Sequence, residues 1–267
     1  MKNNSFVVVI SFISVLFVLG SSCKKDPPPE PPIILKPIPT SVTDIDNNEY
    51  QVRRFGKLLW MTENLRVTRY DTESPCSDNA IAVATYTHTV DISKPYYIDA
   101  RDFEEEPYTD NLTEEIRNSL GLLYNWSAAA GVAENNSAVG DGAQGICPNG
   151  WRLPRYRDLD SLCKYLGNKE IAGEKLKSVN GWYTPSGSEA NTSGLNCYPA
   201  GKASGSFVTM VGTQTMFWTS TNQMGNTVRV GVLILFHGTE EAETLYITKN
   251  QANSVRCVMD ITEEYEK

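Results

Sequence analysis

The chain has 267 residues, of which 40% are hydrophobic and 21% are charged, an ordinary composition for a globular protein. This length allows one large domain or two small ones. Asp and Glu number 32 against 24 Lys and Arg, which gives a net charge of −8 and leaves no concentrated basic face for phosphates. The composition therefore argues against a nucleic-acid partner.

The first 22 residues have the pattern of an export signal. Residues 6–19 are apolar apart from two serines, a length that is short for a membrane span but typical of a signal-peptide core. Small residues then lead into Cys23, and this arrangement resembles the bacterial lipobox, although Gly20 stands where Leu is usual. We predict a lipoprotein signal peptide over 1–22 and a diacylglycerol on Cys23. An ordinary secretory signal is the alternative.

Residues 23–41 are predicted to be a lipidated cysteine followed by a proline-rich tether. Seven of the 14 prolines lie between residues 24 and 41. Proline fixes φ and lacks the backbone donor, so the stretch should be extended. At about 3.1 Å per residue, residues 26–40 would span about 45 Å. We expect a membrane partner through the lipid, at the outer membrane or cell surface.

The folded part is predicted to cover residues 42–261, and an acidic tail follows it over 262–267. Strand patterns lie at both ends of the folded part. Val42 to Met61 is typical of a β-meander with turns at Asp46-Asn47-Asn48 and Gly56-Lys57. Residues 84–90 alternate as a strand does. Further strand patterns cover 217–221, 228–236, 244–248 and 254–259.

Helix patterns lie in the middle of the chain. One helix is expected to begin near Asn111 or Thr113, and a short one to end at Gly131. After Pro154, apolar residues at 159, 162, 163 and 166 give the spacing of an amphipathic helix that Gly167 ends. A second short helix is expected over 173–178. Central helices with strands at both ends predict an α+β domain whose termini meet in one sheet.

Six cysteines are present, and the predicted compartment permits disulfides. Spacing does not settle their pairing. Joining Cys147 to Cys257 would close a loop of about 110 residues, worth roughly 4 to 5 kcal/mol by the chain-entropy estimate. Cys163 and Cys197 would then form the second pair and, with Cys23 lipidated, Cys76 would remain unpaired. A zinc site is the weaker alternative, because there is no Cys-x-x-Cys and His88 and His237 are isolated.

Two other motifs match the residue pattern of a ligand-binding site but lack the sequence context that such a site requires. Residues 140–145 read G-x-G-x-x-G, but Cys147-Pro148 follows where a dinucleotide site needs a helix. Asp44, Asp46 and Asn48 have calcium-loop spacing without the closing Glu, and a hairpin turn explains them. We find no nucleophile elbow or catalytic dyad either. The sequence therefore predicts no metal, no cofactor and no catalytic residues.

Aromatic residues are the remaining candidates for binding. Exposed Trp and Tyr side chains serve glycan-binding and protein-binding faces because they bury large areas at low entropic cost. Most of the five Trp should nonetheless lie in the core. Trp182 and Tyr183, beside Gly181 in a predicted loop, are the weak binding candidates.

Six separated segments carry a family resemblance. They are 60–65 (Trp-Met-Thr-Glu-Asn-Leu), 123–126 (Leu-Tyr-Asn-Trp), 144–154 (Gln-Gly-Ile-Cys-Pro-Asn-Gly-Trp-Arg-Leu-Pro), 191–201 (Asn-Thr-Ser-Gly-Leu-Asn-Cys-Tyr-Pro-Ala-Gly), 217–221 (Phe-Trp-Thr-Ser-Thr) and 254–260 (Ser-Val-Arg-Cys-Val-Met-Asp). Together they resemble the Fibrobacter succinogenes major paralogous domain, common in exported proteins of Bacteroidetes, over about residues 44–260. Cys163 and Cys197 replace residues that are usually not Cys in that family. The resemblance thus favours a disulfide between these two and leaves Cys147 for Cys257.

The resemblance also implies a fold. The family is similar to the C-type-lectin-like fold, with two or more central helices and antiparallel sheets joining the N- and C-termini. That fold includes sulfatase-modifying enzymes, which resemble this chain at Trp151-Arg152-Leu153-Pro154. Their chemistry uses two closely spaced cysteines near the C-terminus, where this chain has only Cys257. The resemblance therefore implies a fold and a setting but no activity.

These observations together predict a non-enzymatic envelope lipoprotein. It would act as a surface-tethered module that binds a glycan or a protein ligand through loops between residues 168 and 227. An enzyme of the sulfatase-modifying type with unidentified catalytic residues is the first alternative. A structural envelope component is the second.

Overall fold

A computed structural model describes residues 35–71, 81–84, 93–102, 109–134, 137–185, 187–188, 190–205 and 207–265. Its strands are β1 Ser41–Thr43, β2 Glu49–Phe55, β3 Leu58–Met61, β4 Ala82–Ala84, β5 Tyr96–Asp99, β6 Leu122–Asn125, β7 Lys202–Ser204, β8 Phe207–Thr209, β9 Gln214–Gln223, β10 Asn226–Phe236, β11 Ala242–Thr248, β12 Ala252–Asn253 and β13 Val258–Asp260. Its helices are α1 Glu114–Ser119, α2 Trp126–Ala130, α3 Tyr156–Tyr165 and α4 Lys169–Leu176. The predicted signal peptide, Cys23, most of the tether and Cys76 lie outside the described residues.

The first sheet joins the two ends of the domain in the order β1-β2-β3-β13. The β-meander predicted for the N-terminal strands is confirmed, and β13 adds antiparallel to β3 with Val258 opposite Trp60. Leu59 and Met61 of β3 are buried in the largest apolar cluster, while Trp60 and Val258 face a second cluster. The C-terminal strand therefore completes a sheet with apolar residues on both faces.

The turn between β1 and β2 is a hairpin built on Asp44. The Asp44 Oδ1 atom accepts hydrogen bonds from the backbone N–H groups of Asp46 and Asn48, both at 2.9 Å. Its Oδ2 atom accepts from the Tyr50 hydroxyl at 2.7 Å. These bonds occupy the carboxylate as an Asx turn does. The hairpin interpretation of these residues is confirmed.

The other two sheets form the rest of the molecule. One has the order β11-β10-β9, and the other has the order β4-β5-β6-β12-β7-β8, antiparallel except for the pair β4–β5. The β12 strand pairs with β6 on one side and β7 on the other. Isolated bridges connect β9 to two residues that flank strands of the six-stranded sheet: Phe217 pairs with Ser254, next to β12, and Thr215 pairs with Gly201, next to β7. Long-range strand pairing therefore organises the core.

The prediction of a C-type-lectin-like α+β fold with central helices is wrong. The protein is mostly β, with three sheets, two of them curled as half-barrels, and four short helices among the described residues. The longest helix has 10 residues and the shortest has 5. Helices of one to three turns cannot form a layer of their own, so they cover sheets instead.

The helix positions themselves follow local sequence chemistry. The Thr113 side chain caps α1 by accepting from the Ile116 N–H, and Gly131 ends α2 in the left-handed region. The amphipathic helix predicted after Pro154 is confirmed as α3. Helix α4 begins earlier than predicted because Asn168 caps it through the Ile171 N–H. Among the described residues, every helix is too short or too polar to cross a bilayer.

The glycine-rich segment 140–145 is a surface turn packed on α2. A Cβ on Gly145, whose φ is +58°, would lie 2.1 Å from the Ala129 carbonyl oxygen. Gly142 donates its N–H to the Ser220 Oγ at 2.7 Å. Gly145 therefore serves close packing of backbone on backbone, and no helix N-terminus follows to receive phosphates.

We expect Gly145→Ala to destabilise the fold by about 2 kcal/mol or more, because the left-handed backbone and the contact with Ala129 both oppose a side chain. The measurement is the free energy of unfolding in urea. Gly140→Ala is the matched control in the same motif, since nothing lies within 4 Å of its Cβ position. Equal effects of the two substitutions would contradict this explanation.

Candidate functional site

The disulfide between Cys147 and Cys257 joins the glycine-rich turn to the C-terminal strand. Its S–S distance is 2.06 Å and both cysteines are fully buried, which confirms the predicted pair. Five residues after Cys147, the backbone of Arg152 exchanges two hydrogen bonds with Val258, each at 2.9 Å. Covalent and backbone contacts thus close the same junction.

The Arg152 side chain completes this junction with two carboxylates. It donates from Nε and Nη2 to Asp260 at 2.6 and 2.8 Å, and from Nη1 to Asp158 at 2.7 Å. Burial lowers the pKa of Arg152, but the hydrogen bonds to Asp260 and Asp158 outweigh it and the net shift is upward. The bond from Arg152 holds the pKa of Asp260 below its usual range. This cluster is a structural clasp rather than a site with spare functional groups.

The predicted disulfide between Cys163 and Cys197 is wrong, because both are free thiols in the structure. Each is fixed by a different element: Cys163 lies on the buried face of α3, and the Cys197 N–H donates to Leu176 O at 2.9 Å. Both pack in the second apolar cluster. Burial raises the pKa of Cys163 to about 11 and also raises that of Cys197, so neither is a reactive thiolate at neutral pH.

A cavity lies between α1 and the loops that follow α4, and we call it the α1 groove. Its volume is about 590 Å³, within the range of small-molecule sites. Its lining residues come from three stretches of chain: Asn111, Thr113, Glu115 and Ile116; Val179, Asn180, Gly181, Trp182 and Pro185; Asn196 and Tyr198. The second and third stretches fall within the loops expected to bind ligand.

Trp182 lines this groove but is not exposed as predicted. Only 2% of the residue is accessible, and its Nε1–H donates to the Cys197 carbonyl at 3.2 Å. The Lys177 Nζ atom lies 5.1 Å from the centre of its ring. Apolar neighbours in the second cluster and a partner for the indole N–H favour burial of this side chain. Tyr183 is 46% exposed, but it does not line the groove and packs edge-on against His237 at 5.5 Å.

The loop that carries Trp182 is held to the rest of the groove by backbone-directed bonds. Asn111 donates from Nδ2 to the carbonyls of Trp182 and Tyr183 at 3.1 and 3.3 Å, linking the start of α1 to the loop. Gly181 has a φ of +96°, and a Cβ there would lie 3.0 Å from Ile116. A close approach of loop and helix therefore fixes the shape of the floor.

The rim of the groove carries uncharged hydrogen-bonding groups. Asn180 is exposed, and Asn196 and Tyr198 are partly buried. Asn196 donates from Nδ2 to the Tyr198 hydroxyl at 3.2 Å, which leaves the hydroxyl proton for another acceptor. Within the described part of the lining, Glu115 is the one charged residue.

A smaller cavity of about 180 Å³ shares Pro185 with the α1 groove and is lined by Lys177, Glu174 and Glu240 among others. Lys177 is only 3% exposed and donates to the Thr239 carbonyl. Burial lowers the pKa of Lys177 to about 8, although the two glutamates oppose the shift. Within the described ranges, no group of three His, Cys, Asp or Glu side chains could hold a metal ion.

Sequence reasoning missed Glu115, Asn180, Asn196 and Tyr198 as lining residues. Glu115 lies 65 positions before Asn180, and nothing in their local patterns links them. Asn196 and Tyr198 do fall within the Asn-rich segment 191–201 that supported the family resemblance. That segment was a usable signal, although it did not identify which side chains face a cavity.

The comparisons with known proteins place the chain in a family of domains. The model of the Fibrobacter succinogenes major domain matches residues 54–259, so the chain belongs to that family. The matched range includes β3, the first two residues of β13, the disulfide and the whole α1 groove. No curated protein and no solved structure matches the chain.

Proposed function

We propose that the protein is a lipid-tethered binding module of the cell envelope that takes its ligand in the α1 groove. The lipobox-like sequence at Cys23 and the seven prolines that follow support the tether. The described chain starts at residue 35, where Lys36 pairs with Tyr265 and its ammonium contacts Glu264 at 3.0 Å. The tether would therefore leave the domain beside its C-terminal residues.

The groove is the observation that supports binding. Its floor is fixed by buried Trp182 and by the Asn111 bonds, while Asn180 and Val179 stand exposed on its rim. A preformed concave surface with a few convergent polar groups is the usual form of a ligand site. Ordered walls reduce the entropy lost when a ligand binds.

The tether is tested by the intact mass of the protein purified from the cells that make it. We expect a mature chain that begins at Cys23 and carries acyl chains. A mature chain with any other N-terminus would exclude the lipid anchor and leave an ordinary secreted protein.

The groove is tested by blocking it. Val179 is 59% exposed on the rim, so Val179→Trp should fill the entrance without disturbing the core. We expect it to weaken ligand binding by at least about tenfold on arrays of glycans and of envelope proteins, with or without EDTA. Val228→Trp is the matched control, because Val228 is 45% exposed on β10 and does not line the groove. Binding that Val179→Trp leaves intact would place the site elsewhere, and no binding at all would favour a structural envelope component.

A further inference from the structure

The geometry points to an uncharged saccharide as the ligand of the α1 groove. This inference rests on the proposed binding function and names the class of ligand for the same site. Three properties of the lining favour this ligand: its hydrogen-bonding groups, its charge and its small exposed apolar area.

The hydrogen-bonding groups of the rim suit hydroxyl-rich ligands. The amides of Asn180 and Asn196 each donate and accept, and so does the hydroxyl of Tyr198. A sugar hydroxyl has the same double character, with one donor and two acceptor positions. Because the Asn196 amide is bonded to the Tyr198 hydroxyl at 3.2 Å, these two groups are held in a fixed relative orientation. A fixed pair of this kind discriminates between hydroxyl arrangements.

The charge of the lining disfavours acidic ligands. Glu115 is exposed on α1, and no Lys or Arg is among those lining residues that the structure describes. Nearby cations are engaged elsewhere: Lys177 donates to Thr239 O beneath the Trp182 ring, and Arg256 donates to backbone carbonyls of Leu195 and Asn196. The whole chain also has a net charge of −8. A carboxylate or sulfate in the groove would meet repulsion with no compensating partner.

The apolar part of the lining is too small for a protein anchor. Ile116 and Trp182 are 7% and 2% exposed, which leaves Val179 and Pro185 as the exposed apolar surface. Protein ligands usually bind through large apolar or aromatic side chains in desolvated pockets. The weakly polar CH face of a pyranose needs only a modest apolar contact. The balance of surface in the groove therefore favours a saccharide over a peptide.

The test compares matched neutral and acidic saccharides on the purified full-length protein. The probes are neutral hexose oligosaccharides and the same backbones carrying uronic acids or sulfate, titrated by calorimetry. We expect the neutral forms to bind at least about fivefold more tightly than their acidic counterparts. We also expect Tyr198→Phe to weaken neutral binding, while Tyr165→Phe, which removes a hydroxyl from an exposed tyrosine outside the groove, does not.

Glu115→Gln separates the role of charge from that of shape. It should narrow the preference for neutral ligands, because the repulsion of acidic forms is removed. Glu170→Gln is the matched control: both glutamates are exposed in the first turn of a short helix, and only Glu115 lines the groove. Thermal unfolding of each variant checks that the fold is retained. An unchanged preference in folded Glu115→Gln would overturn the electrostatic argument.

The remaining outcomes distinguish the inference from the function on which it rests. If acidic saccharides or proteins bind the native protein but not the Val179→Trp variant, the inference of a neutral saccharide is wrong and the proposed binding function is retained. If a ligand binds the Val179→Trp variant with the same affinity as the native protein, the α1 groove is not its binding site and the proposed function of the groove is wrong. Neutral saccharides that bind and are lost in Val179→Trp but not in Val228→Trp would support both.

Discussion

Replacing both Cys147 and Cys257 with Ala is expected to lower the free energy of unfolding by about 4 to 5 kcal/mol. The disulfide spans a sequence separation of 110 residues, and a closed loop of that size restricts the unfolded chain by about 4.7 kcal/mol in the entropic estimate. Both cysteines are fully buried and backed by the Arg152–Val258 backbone pair, so the junction also contributes native packing. The measurement is urea unfolding of the oxidised protein and of the double variant.

Reduction provides the control for this substitution. A reducing agent should destabilise the native protein but leave the double variant unchanged, because the other two cysteines in the described part of the chain, Cys163 and Cys197, are already free thiols. Further loss of stability in the reduced variant would mean that another disulfide exists. A double variant as stable as the native protein would show that the unfolded state is not restricted by this bond.

Substituting Arg152→Met is expected to cost about 3 to 5 kcal/mol of stability. The Arg152 and Asp158 side chains are only 9% and 10% exposed, so removing the cation leaves a buried carboxylate without its ion pair. The Leu153 carbonyl would also lose its bond from Arg152 Nη1 at 3.1 Å. The free energy of unfolding at neutral pH measures the effect.

Arg155→Met is the matched control for the loss of charge. Its guanidinium lies 3.7 Å from Asp260 and is more exposed than that of Arg152, so we expect a loss below about 1 kcal/mol. Losses of equal size would show that burial of the Arg152 pair is not the cause.

The cluster of Arg152, Asp158 and Asp260 should also affect how the free energy of unfolding changes at acidic pH. The pKa of Asp260 in the folded protein is below its ordinary value of 3.8, so its contribution is present above that pH and is lost as the pH falls through the folded value. Arg152→Met should remove part of this dependence.

Local chemistry was sufficient to predict where the helices and the first strands lie. Thr113 and Gly131 are a capping residue and a stop residue, and the spacing of Leu159, Leu162 and Cys163 is helical on any fold. The hairpin at Asp44 and the disulfide between Cys147 and Cys257 were likewise correctly predicted. These features depend on residues close in sequence, or on an assignment supported by the family resemblance.

The fold class was beyond such reasoning because it depends on pairing between distant strands. Strand β12 has two residues, yet it sits between β6 and β7 in the largest sheet. No periodicity reveals so short a strand. The four helices were predicted near their observed positions, but their place between strand patterns suggested a central helical layer, which helices of 5 to 10 residues do not form.

The burial of Trp182 shows that the exposure of a side chain could not be predicted from its neighbours in the sequence. Flanking glycine and tyrosine suggested an exposed loop, but the indole N–H finds the Cys197 carbonyl and the ring packs beside Lys177. The Cys163–Cys197 prediction failed similarly, because presence in one apolar cluster does not provide the geometry that a disulfide requires.

The position of β13 also determines the order in which the domain can be assembled during synthesis. Strand β3 must wait for a partner about 200 residues later, and β6 must wait for β12. The six-stranded sheet therefore cannot be completed before residue 253 has been made, and the first sheet cannot be completed before residue 260. Until then the apolar β3 segment Leu58–Met61 presents an unpaired edge. Completion of both sheets is therefore a late event, and the edge of β3 stays open until the last strand is available.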